Sequence, residues 1–194
     1  MTTPDVSSDP CSSDLWVFGY GSLMWRPGFE FIEARPALLK GWHRSFCLYS
    51  RHYRGTPDHP GLVLGLDRGG SCRGVAFRVA AAKAHVTVAY LNERELVGYA
   101  YVAKTLKVAL DDGARVASYC FVADTRHRHY AGHMALEKAA SIIMDAQGCA
   151  GLNRDYLINT VRRLEADGFL DKSLHTLLTE VERQTGLIDQ GAGI

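Results

Sequence analysis

An α+β fold follows from three features of this 194-residue sequence. Short apolar runs with strand-like alternation fill residues 15–123, interrupted by one helical stretch. Helical periodicity takes over after residue 130. Strands and helices do not alternate in the regular way that builds a parallel sheet. Leu15–Tyr20 (LWVFGY) reads as a strand ending at Gly21, and Ser45–Tyr49 as a second. Leu62–Leu66 and Arg73–Val79 flank the segment DRGGS, which reads as a turn. In the latter run Val75, Phe77 and Val79 alternate with Gly74, Ala76 and Arg78, as in a half-buried strand. The spacing predicts a helix over roughly 81–94. Residues 105–123 read as a hairpin turning at DDGA. Beyond a helical onset near Gly132, Leu136, Ala140 and Ile143 form a stripe ending at Gly148. Asn153 is placed to cap a helix carrying Leu157, Val161 and Leu164 with Gly168 just past its end, and a last helix begins near Asp171.

Composition narrows the class. Twenty-two Lys and Arg against 21 Asp and Glu leave a net charge of +1, which gives no electrostatic reason to expect nucleic acid or an anionic membrane as a partner. With 47% hydrophobic residues the chain has material for one core. Residues 1–14 and 186–194 are expected to be flexible tails around a single domain at 15–185. The five cysteines (11, 47, 72, 120 and 149) are odd in number and show no C-x-x-C pair, so a reducing compartment is expected, with Cys120 in SYCFVA a small core residue. The N-terminus has no basic-then-apolar signal pattern and no run of 18 apolar residues occurs, so a cytoplasmic location without a membrane span is expected.

Two segments carry chemistry. Val17–Phe29 delivers a strand into Gly19-Tyr20-Gly21-Ser22-Leu23-Met24, where glycines let the backbone approach a ligand and present N–H groups; the alternative is a strand-end turn with a packed tyrosine. Met24 stands where a dinucleotide fingerprint needs a small residue and Pro27 interrupts the following helix, while G-x-x-x-x-G-K-[ST] is absent. The second segment is Tyr90–Tyr99. Ala84, Val88, Leu91 and Glu95 fall on one helical stripe, with Glu93 about 200° away. Glu95 is therefore directed inward, where desolvation would raise its pKa and suit it to acid/base work; the alternative is an ion pair with Arg94 or another arginine. His129 and His133 are i, i+4, with His127 two residues earlier, but H-E-x-x-H is absent and the helix begins only near Gly132, so these histidines read as structural or solvent-exposed residues, the first two in a loop. No serine or cysteine has a nucleophile signature.

Taken in order, Val17–Trp25, Tyr49-Ser50-Arg51 with Gly55–His59, Cys72–Phe77, Tyr90-Leu91 with Arg94-Glu95, and Gly151–Leu157 resemble the ChaC-like γ-glutamylcyclotransferases across about 15–183. The sequence departs from the family pattern at Met24 and in Leu96–Tyr99. The resemblance implies a mixed, partly closed β-barrel with packed helices. It implies a lyase that cleaves glutathione to 5-oxoproline and cysteinylglycine without metal or cofactor. It also implies that the Gly19–Met24 loop (Gly19, Tyr20, Gly21, Ser22, Leu23, Met24) binds substrate, that Glu95 is the catalytic glutamate, and that Tyr156 lies near the site. Arg51 is a candidate carboxylate clamp, the alternative being a support for its loop. Two other readings stay open at this point: a cyclotransferase of the same fold acting on another γ-glutamyl amino acid or amine, and a non-catalytic module that retains the ligand loop.

Overall fold

The computed structural model describes residues 13–96 and 100–186. Most of both expected tails therefore lies outside the described residues. Asp14, assigned to the N-terminal tail from sequence, is tied down: its Oδ1 accepts from the Ala81 N–H at 3.1 Å and its Oδ2 from Arg78 at 3.2 Å.

Five strands close a barrel in the order β1-β3-β2-β4-β5. They are β1 (Leu15–Gly19), β2 (Glu33–Ser50), β3 (Gly61–Val79), β4 (Tyr101–Leu110) and β5 (Arg115–Ala123). Neighbours pair antiparallel except β1 and β5, which meet in parallel at Trp16–Ser118 and Val17–Tyr119. The α+β class and the mixed barrel stand, and closure is complete where the resemblance implied partial closure.

β2 and β3 form one long bent ribbon, which corrects two expectations. The Asp67–Ser71 segment is a bulge inside β3 and not a turn: register shifts between Lys40 and Trp42, where Gly41 (φ +82°) lies across from Gly69 and Gly70 (φ +100° and +63°). Left-handed glycines here bend a strand instead of reversing it. β2 begins twelve residues before the expected Ser45 (Glu33 against Ser45). Pro36 is tolerated because β2 pairs with β4 only at Ala37–Leu39, so the proline sits beyond that pairing.

The first helix, α1 (Ala81–Leu96), runs two residues past the expected end. It buries Leu91 against Val17, Leu23, Phe77 and Phe121. α2 (Leu136–Asp145) starts later than Gly132, leaving the histidine-rich stretch in a loop, and is followed by a short hairpin of β6 (Gln147–Gly148) and β7 (Gly151–Leu152). α3 (Asn153–Ala166) and α4 (Lys172–Gln184) complete a helical layer whose Ile143, Leu157, Leu164 and Leu174 join the barrel's Phe18, Leu39 and Leu62 in the largest apolar cluster. Gly168 ends α3 with φ +76°, as the sequence predicts, and α4 starts near the expected Asp171, whose side chain caps it by accepting from the Leu174 N–H. Among the described residues no helix is long and apolar enough to cross a membrane. Cys47, Cys72 and Cys120 are buried free thiols, pushed up to about 12 by burial, and Cys149 is an exposed free thiol.

Asn153 does not cap α3. Its fully buried amide grips the backbone of β3, with Oδ1 accepting from the Leu62 N–H at 2.7 Å and Nδ2 donating to the Leu62 carbonyl at 2.8 Å. Asn153→Ala would strand both groups in the interior and is expected to lower unfolding free energy by about 2–4 kcal/mol. Urea unfolding checks this; an unchanged midpoint would mean water replaces the amide without loss.

Candidate active site

The turn after β1, the second half of α1 and the last residues of β3 come together where Leu23, Leu91 and Phe77 share an apolar cluster. After Gly19 the chain makes a single 3-10 turn at Ser22–Met24, with the Met24 N–H donating to the Gly21 carbonyl at 2.9 Å. The leading N–H groups of such a turn have no acceptor within it. Neither Gly19 nor Gly21 has a positive φ. Their lack of a side chain serves close packing: a Cβ on Gly19 would lie 3.3 Å from Leu23 and Phe77, and one on Gly21 3.2 Å from Leu64. Across from them, a Cβ on Gly74 would strike the Gly19 carbonyl at 2.3 Å.

Tyr20, Gly21, Ser22 and Leu23 form one wall of an inner pocket of about 40 Å³, and Glu95, Tyr101, Tyr156, Leu64 and Phe121 form the rest. An outer cavity of about 320 Å³ shares Ser22, Glu95, Tyr101 and Tyr156 with it and adds Tyr53, Arg54, Val63, Arg94 and Ala150. Thus Tyr20–Leu23, Glu95 and Tyr156 are brought together. Gly19 lies behind the loop. Met24 is buried away from the pocket, its Sδ 3.6 Å from the Arg44 guanidinium. Arg51 lines neither cavity: it is exposed and donates from Nη2 to the Pro57 carbonyl at 2.6 Å, supporting its own loop.

Glu95 combines both features weighed from the sequence. Its side chain is 17% exposed and pairs through Oε1 with Arg94 Nε at 3.1 Å. Burial raises its pKa above the usual carboxylate range, and the adjacent Arg94 charge and hydrogen bond oppose that rise. Arg94 is itself anchored, donating from Nη1 to the Arg26 and Pro27 carbonyls and from Nη2 to Ser22 Oγ at 3.2 Å. Three phenols line the pocket with the carboxylate: Tyr20 is buried, and Tyr101 and Tyr156 are half-buried. Desolvation holds Tyr20 and Tyr101 well above the ordinary phenol value and pushes Tyr156 up to about 12, so all three are neutral near pH 7. Tyr101 Oη donates to the Leu64 carbonyl at 2.5 Å.

Sequence reasoning missed Tyr101, Leu64, Phe121 and Arg54. The inward side of an alternating strand is a packing signal, and nothing in it separates pocket walls from core. Arg54 belongs to the Gly55–His59 neighbourhood already noted and carried a signal three residues from Arg51. His127 and His129 pack edge to face at 4.9 Å in the loop before α2. Among the described residues no three His, Cys, Asp or Glu side chains are grouped as metal ligands.

The sequence profile of the ChaC-like protein family matches residues 15–184. The chain belongs to the ChaC-like family. This ChaC-like protein is 37% identical over 174 residues to the glutathione-specific γ-glutamylcyclotransferase of Escherichia coli, covering 90% of this chain and 75% of that one. It is 35% identical over 178 residues to γ-glutamylcyclotransferase 2-3 of Arabidopsis thaliana, covering 86% and 88%. A crystal structure of a yeast γ-glutamyl cyclotransferase specific to glutathione superposes with a TM-score of 0.78 at 22% identity, covering 88% of this chain and 96% of that one, which shows a common fold.

The opposing effects on Glu95 are separable. In a carbon-13 NMR titration, the Glu95 carboxyl is expected to protonate above the ordinary glutamate range, and Arg94→Met to move that midpoint to still higher pH. A midpoint that fell in Arg94→Met would mean Arg94 does not stabilise the ionised form.

Proposed function

We propose that the protein is a glutathione-specific γ-glutamylcyclotransferase, a lyase that converts glutathione to 5-oxoproline and cysteinylglycine. The observation that carries this reading is one half-buried carboxylate, Glu95, set into the same pocket as the Tyr20–Leu23 loop.

Glutathione carries its own nucleophile. The α-ammonium of its γ-glutamyl group gives a proton to Glu95, and the freed amine attacks its own γ-carbonyl carbon. A five-membered ring closes and the carbonyl oxygen becomes an oxyanion. Collapse breaks the γ-carbon–nitrogen bond as the proton held by Glu95 passes to the departing nitrogen, and the second proton, still on the ring nitrogen, follows through Glu95 to the released amine, which leaves as the ammonium of cysteinylglycine. Atoms and charge balance without water, metal or nucleotide. Holding the substrate in its near-attack form supplies about 7–11 kcal/mol of barrier reduction. Proton transfer by a poised group contributes about 10²–10⁴-fold.

The residues divide this labour by their chemistry. Burial keeps the Glu95 pKa high enough to take and return a proton, while Arg94 keeps the ionised form accessible. The backbone of Tyr20–Leu23 offers N–H groups to an oxyanion or to the α-carboxylate. Tyr20 and Tyr156 stay protonated, so they meet the ligand as neutral hydrogen-bonding groups and do not compete with Glu95 for its proton. Reduced glutathione and the free buried thiols both fit a reducing cytoplasm.

Incubation of the purified protein with millimolar reduced glutathione is expected to yield 5-oxoproline and cysteinylglycine in equal amounts by mass spectrometry. Glu95→Gln is expected to lower kcat by about 10²–10⁴-fold with substrate binding and fold retained. Ser22→Ala should be milder, because its hydroxyl accepts from Arg94 while the loop acts through its backbone. Near-normal turnover in Glu95→Gln would remove the carboxylate from the mechanism.

A further inference from the structure

The outer cavity holds two guanidinium groups with different commitments. Arg94 is occupied on every side: by Glu95, by Ser22 Oγ, by the Tyr90 hydroxyl at 3.1 Å and by two carbonyls. Its charge is matched by Glu95. Arg54 donates from Nη1 to the Leu152 carbonyl at 3.1 Å and lies over the Tyr156 ring, 5.2 Å from its centroid. It forms no ion pair among the described residues. Among the residues lining the cavity, Arg54 therefore supplies the unmatched positive charge.

The guanidinium is also held in place before any ligand arrives. The Arg54 backbone N–H donates to Ser50 Oγ at 3.1 Å, which fixes the main chain that carries the side chain. The backbone beside it is wedged between glycines: a Cβ on Gly61 would meet the Arg54 carbonyl at 2.1 Å, and a Cβ on Gly55 the Gly61 nitrogen at 2.1 Å. A planar donor fork fixed by a carbonyl on one edge and an aromatic face beneath it leaves its remaining N–H groups for a carboxylate. Position decides which carboxylate. Arg54 borders the outer cavity and not the inner pocket, whereas Tyr156 borders both. With the γ-glutamyl group in the inner pocket and the scissile bond at Glu95, the leaving dipeptide occupies the outer cavity. Two extended residues reach roughly 7 Å from the scissile nitrogen to their terminal carboxylate.

We propose that Arg54 binds the terminal carboxylate of the leaving dipeptide, so that the outer cavity selects γ-glutamyl substrates continued by two residues with a free C-terminus. This rests on the cyclotransferase reading above. It moves the carboxylate clamp from Arg51, which turns to Pro57, to a residue three positions later. Shorter γ-glutamyl compounds present their carboxylate one residue too near the reacting bond, and γ-glutamyl amines present none.

The test measures 5-oxoproline release from glutathione and from its glycine monoethyl ester, with the wild-type chain, Arg54→Met and Arg54→Lys. A charge-assisted pair of this kind predicts that esterification lowers wild-type kcat/KM by about 10- to 100-fold, chiefly through KM. Arg54→Met is expected to lower kcat/KM for glutathione by a similar factor and to leave the ester within about threefold of its wild-type value, since the lost partner is already absent there. Arg54→Lys should recover part of the glutathione value. Equal turnover of both substrates by the wild type would overturn the role of Arg54 while leaving the cyclotransferase reading intact. A loss in Arg54→Met that is equal for both substrates would do the same, since it would show that Arg54 only supports the fold. Failure of the wild type to release 5-oxoproline from either would overturn both.

Discussion

One buried cation holds the site from behind. Arg44 on β2 is 2% exposed, and its guanidinium is permanently charged. A lone charge at that depth would be strongly destabilising, so its donors must find acceptors. Nε donates to the Tyr20 carbonyl at 2.5 Å, Nη2 to the Arg73 carbonyl and toward Met24 Sδ, and Nη1 reaches Asp171 Oδ2 at 3.4 Å. Those four partners belong to the glycine loop, to β3 and to the cap of α4. The loop thus cannot relax away from the barrel without uncovering the charge, and the helical layer is registered against the same point. With the Tyr20 carbonyl drawn to Arg44, the Gly21 N–H of the same trans peptide points the opposite way.

A second set of constraints fixes the opposite wall. The amide of Asn153 grips Leu62, two residues before the Leu64 carbonyl that orients Tyr101. Leu152, one residue before Asn153, holds Arg54, and Tyr156 follows one helical turn later beneath the same guanidinium. The start of α3 therefore positions Tyr101 indirectly and Tyr156 directly. Arg44 and Asn153 act on different strands of one ribbon, and the pocket lies where their effects converge. Both are polar residues whose shortest side-chain hydrogen bonds go to backbone groups of other elements, the arrangement that makes a buried polar residue specify a geometry instead of weakening a core.

The parts legible in the sequence are those set by local periodicity. The α1 stripe placed Glu95 inward from Leu91, one turn earlier, which the structure buries together with Thr87, and the β4–β5 hairpin follows from alternation around a turn. The β2–β3 ribbon was only half legible. Pro36, Gly41 and Gly69-Gly70 are breakers by local rules, and their place inside strands depends on what lies across the ribbon, which local patterns do not report. The same limit explains Asn153. An asparagine before an apolar helical run is read as a cap, yet its partner is 91 residues earlier in the chain. At the site, the glycine loop and Glu95 were readable as motifs. Arg51 and Arg54 are both arginines in one loop, and only the fold shows that the first turns to Pro57 and the second to Tyr156.

Glu95 shows how stability and chemistry oppose each other here. Its pKa in the fold is raised by burial, so folding favours the protonated carboxyl. That contribution is fully present at pH values below the unfolded-state pKa and is lost as pH rises through the higher folded-state value. At neutral pH the fold must therefore carry an ionised carboxylate it would hold more easily as the neutral acid. Arg94 offsets part of that burden, and Arg94 is fixed in turn by the carbonyls of Arg26 and Pro27 at the end of the glycine loop. Full burial without Arg94 would leave the carboxyl protonated and useless as a base. Full neutralisation in water would leave too weak a base to take a proton from an ammonium group. The half-buried pair lies between these limits, and the chain that lines the pocket at Ser22 and runs on to Pro27 also holds the pair in place.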